Sequence, residues 1–285
     1  MGLIDFILNL AGVLVWLSWR SLRFDPLVKT TPATLVGTLR RAEPWRSKGW
    51  QYLAGLAALL VLRALLYRQI GPEAEWRPGL NLCYFVPRFH SDRLLPVMLF
   101  SVLSFARMLI ICYFWLLALA IINRHNPEPD PIQKMVRLHL GPVPHWPLIL
   151  QLLLPLLLVT GLWIALYPLL VQLGITSRVQ SIAHLAEQGV LIASSLMITL
   201  QYLLPVLLLL HLVASYVYLG SNALWEFIGA TASNMLAPLR RLPLRVARFD
   251  FSPLVGVILI FALLHLLPKF ILGEMAKHNV SPWPP

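Results

Sequence analysis

Charge is scarce in this chain of 285 residues: only 12% are Asp, Glu, Lys or Arg, and just twelve of those are acidic. There are two cysteines. Cys83 falls in a polar loop and Cys112 inside a long apolar run, so neither a disulfide nor a cysteine metal site is expected. A membrane cysteine ordinarily acts as a small apolar residue. Catalytic constellations are missing as well. There is no Gly-rich phosphate loop, no His-Glu-x-x-His and no Gly-x-Ser-x-Gly, and no enzyme activity is expected. Nor does any acidic residue fall firmly inside an apolar run. Asp5, Glu73, Glu75, Asp92, Glu187 and Glu274 lie near or beyond one end of such runs. Asp25, Glu43, Glu128, Asp130, Glu226 and Asp250 lie near the other. A proton-coupled transporter usually shows a buried carboxylate, so this pattern counts against transport without excluding a channel.

What the chain has instead is apolar sequence. It is 58% hydrophobic, with a mean hydropathy of +0.73, outside the range of ordinary soluble domains. About 20 consecutive apolar residues cross a bilayer core. Six stretches qualify, at roughly 3–19, 51–67, 95–122, 148–173, 190–219 and 253–273. The first has no basic leader and carries Asp5, and it reads as a retained helix rather than a cleaved signal. The expected fold class is therefore all-α, a polytopic membrane protein with about six transmembrane helices.

An ungapped shift of 96 positions lays the chain over itself. It matches Leu116 with Leu212, Ala118 with Ala214, Asn126 with Asn222, Ile132 with Ile228, Leu140 with Leu236, Pro142 with Pro238 and Pro147 with Pro243. Apolar matches between membrane segments are cheap. Asn126/Asn222 and the proline pairs fall between segments, where composition does not force them. A period of this size predicts two copies of one structural unit. The expected organisation is an N-terminal hairpin at 1–67, which would make a diverged third copy, and an external loop at 68–94. Repeated hairpins at 95–173 and 190–273 are separated by a linker at 174–189, and a tail follows at 274–285.

Basic residues are unevenly placed. Arg20, Arg23, Lys29, Arg40, Arg41, Arg46 and Lys48 follow the first stretch. Arg124, Lys134 and Arg137 follow the third, and Arg240, Arg241, Arg245 and Arg248 follow the fifth. These fourteen share one side, against Arg68, Arg77, Arg88, Arg93, Arg178, Lys269 and Lys277 on the other. The positive-inside rule then makes the three hairpin loops cytoplasmic and both termini external, in the inner membrane. Anionic lipid headgroups suffice as partners for the basic loops, and no nucleic acid is expected despite a net charge of +11.

The hairpin loops read as structured. Leu224, Trp225, Phe227, Ile228, Met235 and Leu236 recur at helical spacing, with Glu226, Ser233 and Asn234 on a more polar side. Such a helix is expected to lie in the headgroup layer with Trp225 and Phe227 dipping toward the acyl chains. Ile132, Met135, Val136 and Leu140 repeat the pattern more weakly. Pro238 and Pro243 stop the helix. Ser252 is the expected N-cap of the last span with Pro253 in its first turn, and Asp250 faces the positive end of its dipole.

These residues resemble the YggT family of small integral membrane proteins. The resemblance rests on Asn222 before a short helix, Leu236-Ala237-Pro238-Leu239-Arg240-Arg241, Leu242-Pro243, and Asp250-Phe251-Ser252-Pro253 entering an apolar helix. It is clearest over about 210–273. The copy at about 110–173 keeps Asn126-Pro127, Pro142 and Pro147 but lacks the paired arginines and the Asp-x-Ser-Pro entry. The resemblance implies tandem hairpins and roles in assembling membrane complexes (cytochrome maturation included), in division or nucleoid positioning, or in osmotic tolerance.

Four polar features inside or beside the spans are candidate sites. Arg107 lies twelve residues into the third stretch, about 18 Å along a helix, and is a functional candidate by default unless it snorkels outward. Arg63, near the end of the second stretch, reads as snorkelling. His211 and His265 stand on neighbouring spans and would be haem ligands only if brought to one depth. Otherwise they are isolated polar residues bonding between helices. Arg240, Arg241, Arg245 and Arg248 serve either topology and lipid contact or the docking of a cytoplasmic partner. No cofactor or metal is expected. The leading expectation is a non-catalytic assembly factor or scaffold acting on other membrane or membrane-associated proteins. A channel or small-solute transporter comes second and a haem-handling factor third.

Overall fold

A computed structural model of the chain describes residues 2–21, 49–73, 77–82, 84–124, 126, 131–178, 181–217, 220, 222–239, 245–246 and 249–277. Among them are eight α-helices: α1 (Gly2–Ser21), α2 (Trp50–Glu73), α3 (Leu94–Ile122), α4 (Pro131–Leu140), α5 (Leu148–Gln172), α6 (Ile182–Tyr216), α7 (Ala223–Met235) and α8 (Ser252–Lys277). Five of them, α1, α2, α3, α5 and α6, carry apolar windows long enough to cross a membrane. Helix α8 runs 26 residues, about 39 Å at the α-helical rise. Only 17% to 22% of each of the five windows is buried inside the structure. Leu3, Leu157 and Leu263 are 60% exposed or more. A soluble protein does not present apolar surface on that scale, so these faces meet lipid. The chain is a multi-pass, all-α membrane protein.

Two compact units make up the chain, one of residues 1–80 and 88–109, the other of residues 81–87 and 110–285. In the first, α1 and α2 pack as an antiparallel hairpin. Asp5 meets Tyr67 near one end, Gly12 lies beside Leu56, and Trp19 lies beside Gly49 at the other. The segment after α2 folds back on itself, with a bridge between Gly79 and Arg88 and Phe89 N–H donating to the Pro78 carbonyl at 2.8 Å. Phe89 is buried against the Phe100 ring, centroids 5.5 Å apart. What the sequence presents as a charged external loop thus has an apolar anchor.

In the second unit α6 is the hub, packing on α5, α7 and α8. Leu208, Ala232 and Leu236 form its best-buried apolar cluster, flanked by Met235, Leu239, Val257 and Ile260. Helices α5 and α6 approach closely where Gly189 faces Thr160. A Cβ at Gly189 would stand 2.8 Å from Thr160 Cγ2 and 3.1 Å from its Cα. Small residues at such crossings let membrane helices approach. Gly189→Ala should therefore lower stability in detergent by about 1–3 kcal/mol through overpacking, and Thr160→Ser should recover part of it. A thermal unfolding series checks this, and an unchanged melting temperature would refute the close crossing.

Several boundaries differ from expectation. The linker expected at 174–189 is shorter, because α6 begins at Ile182 with Ser181 as N-cap, its side chain accepting from Ala183 N–H. Polar His184, Glu187 and Gln188 depress hydropathy there without breaking the helix. Tyr167 pins the remaining connection through a 2.5 Å bond to the Ser177 carbonyl. At α8 the cap lies one residue early. Phe251 O accepts from Val255 N–H at 3.0 Å, so Ser252 is the first helical residue rather than the N-cap. Between α7 and α8 two short strands, β1 (Arg245–Val246) and β2 (Phe249–Asp250), pair antiparallel, with Arg245 opposite Asp250.

Candidate functional site: two buried polar junctions

The first junction sits among α1, α2 and the first half of α3. Four residues supply it as pairs one helical turn apart, Asp5 and Asn9 on α1, Arg63 and Tyr67 on α2, so each pair lies on one face. Arg63 donates from Nη2 to Asp5 Oδ1 at 2.7 Å and from Nη1 to Asn9 Oδ1 at 2.7 Å. Tyr67 Oη donates to the same Asp5 oxygen at 2.5 Å. Asn9 Nδ2 then donates to Ser104 Oγ at 2.9 Å, and Ser101 Oγ donates to the Leu60 carbonyl at 2.9 Å. The guanidinium carbon lies 5.5 Å from the Tyr67 ring centroid and 5.4 Å from that of Phe100, within cation–π range.

Arg63 is thus not a snorkelling residue. Its side chain is 0% exposed and Asp5's is 19%. The guanidinium lies thirteen residues from Trp50, about 20 Å along α2, and turns inward because Asp5 and Asn9 offer it acceptors that the lipid cannot. Asp5, expected near or beyond the outer end of the first span, lies in the first turn of α1 and is paired with Arg63. The signal in the sequence was the i, i+4 spacing of polar residues on two adjacent apolar helices.

The second junction fastens α4 to α7. Asn123, just past the end of α3, is 0% exposed. Its Nδ2 donates to Thr231 Oγ1 at 2.8 Å and to the Leu119 carbonyl at 3.2 Å. Its Oδ1 accepts from Asn234 Nδ2 at 3.0 Å, and its backbone carbonyl accepts from Gln133 Nε2 at 2.6 Å. Asn234 Nδ2 also reaches Asn126 Oδ1 at 3.0 Å. Thr231 gives its own proton to the Phe227 carbonyl at 2.7 Å. Both donor and acceptor sides of the Asn123 amide are satisfied, which a buried amide requires. The short helices accordingly bury polar residues. Gln133, Val136 and His139 face inward on α4, and Phe227, Ile228, Thr231 and Ala232 do so on α7. Phe227, expected to dip into lipid, is 5% exposed and packs inside the protein, whereas Met135 and Leu224 are exposed.

Other candidates are not gathered. His211 lines a cavity of about 290 Å³ with Ala214, Ser215, Gly220, Trp225, Glu226 and Gly229. His265, on α8, is exposed and is not among them. Among the described residues no three His, Cys, Asp or Glu side chains are grouped to hold a metal ion. Arg107 is half-buried on α3. Asn222 is the exposed N-cap position of α7, its carbonyl accepting from Trp225 and Glu226 N–H, while Asn126 is half-buried within the junction. The two asparagines matched by the 96-residue shift therefore have different surroundings. Pro238 lies in the turn that ends α7, and Pro253 is buried in the first turn of α8. Arg240, Arg241, Pro243, Arg248 and Cys83 lie outside the described residues, as do the side chains of Arg245 and Asp250.

No family model matches the chain, and no curated protein or solved structure matches it. The reading of function therefore rests on residues and geometry.

Proposed function

We propose that this protein is a non-catalytic scaffold or assembly factor of the cytoplasmic membrane, built from tandem hairpins of the YggT type. The observation that carries the reading is the asparagine junction, which fastens two short helices, α4 and α7, into one platform, and the sequence that follows α7 carries Arg240, Arg241, Arg245 and Arg248. A long helix, a short helix and a long helix follow one another twice, as α3-α4-α5 and as α6-α7-α8. A shift of 96 residues moves α4 onto 227–236 and α5 onto 244–268, overlapping α7 and α8. This is support for the repeat. Exposed Lys134 and Met135 on α4, with Leu224 and Glu226 on α7, give the platform the mixed surface that transient protein interfaces share. The basic loops face the cytoplasm in this reading and both termini lie outside.

A channel or transporter is the second reading, and Asp5 is the observation in its favour. A carboxylate on a spanning helix is a functional candidate by default. Asp5 is, however, already bonded to Arg63 and Tyr67, so a proton or cation would have to displace an arginine to use it.

Replacing Arg240, Arg241, Arg245 and Arg248 together with Gln tests the scaffold. Each arginine near an anionic surface contributes on the order of 1 kcal/mol. The variant should insert and accumulate normally, since the first loop retains seven basic residues, yet lose the proteins that co-purify in mild detergent. A variant that keeps every partner and instead changes ion or solute flux in proteoliposomes would favour the channel.

A further inference from the structure

The cavity beside His211 belongs to neither junction, and apart from the His211 imidazole its polar lining is Glu226, Ser215 and the Trp225 indole. It opens where α6 ends and α7 begins, the level at which a spanning helix gives way to a short one. Gly220, at φ +83°, lies in the connection between them, a backbone conformation that favours glycine. Glu226 brings a carboxylate side chain to the lining and Trp225 an indole. The Ser215 hydroxyl donates its proton to the Leu212 carbonyl at 2.6 Å, which leaves its oxygen as an acceptor toward the cavity. Lysine and arginine are absent from the lining among the described residues, although the chain as a whole carries a net charge of +11. Carboxylate, hydroxyl oxygen and indole face together form the combination that attracts a cation bearing N–H donors.

We infer that this cavity binds a primary ammonium group, that of a membrane lipid with an ethanolamine headgroup. At about 290 Å³ it lies at the small end of ligand sites, which run to roughly 300–1,000 Å³, and suits a headgroup rather than a larger solute. The apolar flank argues for a lipid over a soluble amine. Val213 and Tyr216 on α6, Val217 just past its end and Leu224 on α7 are neighbours in sequence of the lining residues and are all exposed by 47% or more, so an acyl chain has surface to cover. Gly229 leaves room for the ligand, since a Cβ placed there meets nothing within 4 Å.

The test is native mass spectrometry of the full chain in detergent. Equimolar phosphatidylethanolamine, phosphatidylcholine and phosphatidylglycerol of one acyl composition are added. Phosphatidylethanolamine adducts should exceed those of phosphatidylcholine, equally zwitterionic but without N–H donors, by about threefold or more, the scale of one net hydrogen bond. Phosphatidylglycerol reports the basic loops and serves as the control. Glu226→Gln removes the charge with little change of shape, and Gly229→Leu fills the cavity. Each should bring phosphatidylethanolamine and phosphatidylcholine to parity at an unchanged melting temperature and leave the phosphatidylglycerol adducts unchanged. Free ethanolamine at millimolar concentration should leave the lipid adducts in place, and displacement by it would reassign the site to a soluble amine. Parity of phosphatidylethanolamine and phosphatidylcholine in the wild-type protein, or a preference between them that survives both variants, overturns the proposal.

Discussion

Arg63→Leu should be among the most damaging single substitutions in the protein, costing about 3–5 kcal/mol, because it strips the partner from a carboxylate held between helices. The physical reason lies in what remains. Asp5 keeps the Tyr67 hydroxyl as donor but loses its cation, and Asn9 Oδ1 loses its donor on the same side. A charge left so in a low-dielectric setting draws in water, which loosens the α1–α2 hairpin. Removing the carboxylate instead, by Asp5→Leu, should cost a comparable amount, since the guanidinium is the more deeply buried of the two. Unfolding in mixed detergent with far-UV circular dichroism measures both. Losses within about 0.5 kcal/mol of zero, the scale of an ordinary surface substitution, would contradict the buried pair.

The second large effect is expected at Asn123. Leucine is close to asparagine in size but makes none of its bonds. Asn123→Leu removes the links to Thr231, Asn234 and the Leu119 carbonyl in one step. The expected cost is about 1–3 kcal/mol, the range for leaving buried polar partners unsatisfied. The Gln133 bond goes to the backbone carbonyl and survives the substitution, so α4 remains tethered at that point while its hold on α7 slackens. Amide hydrogen exchange should rise over 131–140 and 223–235 and stay unchanged over α1 and α2. Combined with Asn234→Ala the loss should be less than additive, since both act on the same bond. Additive losses, or exchange rising uniformly, would mean that the asparagines do not couple the two short helices.

The six long helices were legible because each is written as an apolar run of spanning length. Their ends were less legible: α6 begins at Ile182 after Ser181, inside the linker expected at 174–189, whereas α5 begins just after Pro147 as expected. The same averaging that reveals a span hides what it contains. Asp5, Asn9, Arg63 and Tyr67 vanish into windows dominated by Leu, Ile and Ala. Read by face rather than by window, Asp5 with Asn9 and Arg63 with Tyr67 form two polar stripes at i, i+4 that can meet only inside a hairpin. Asn123 was harder to see, for its partners are 108 and 111 residues away and no local pattern pairs them. Phe227 shows the limit of amphipathic reading. Spacing identifies a face of α7, but not whether lipid or protein covers it. In α7 the apolar face packs on the protein, and the buried Thr231 among those apolar residues is the mark of it.

In the scaffold reading the charges of Asp5 and Arg63 lock α1 to α2 rather than carry a solute or proton. The double variant Asp5→Leu/Arg63→Leu decides it. Replacing a whole buried ion pair with apolar residues of similar size is often neutral or stabilising, while breaking half of it is not. Quantitative mass spectrometry of proteins co-purifying with wild type and double variant, matched for amount and melting temperature, is the measurement. A lock predicts a double variant more stable than either single one, with the same partners in the same proportions. A double variant that folds as stably as wild type yet loses its partners would show that the charges themselves do the work.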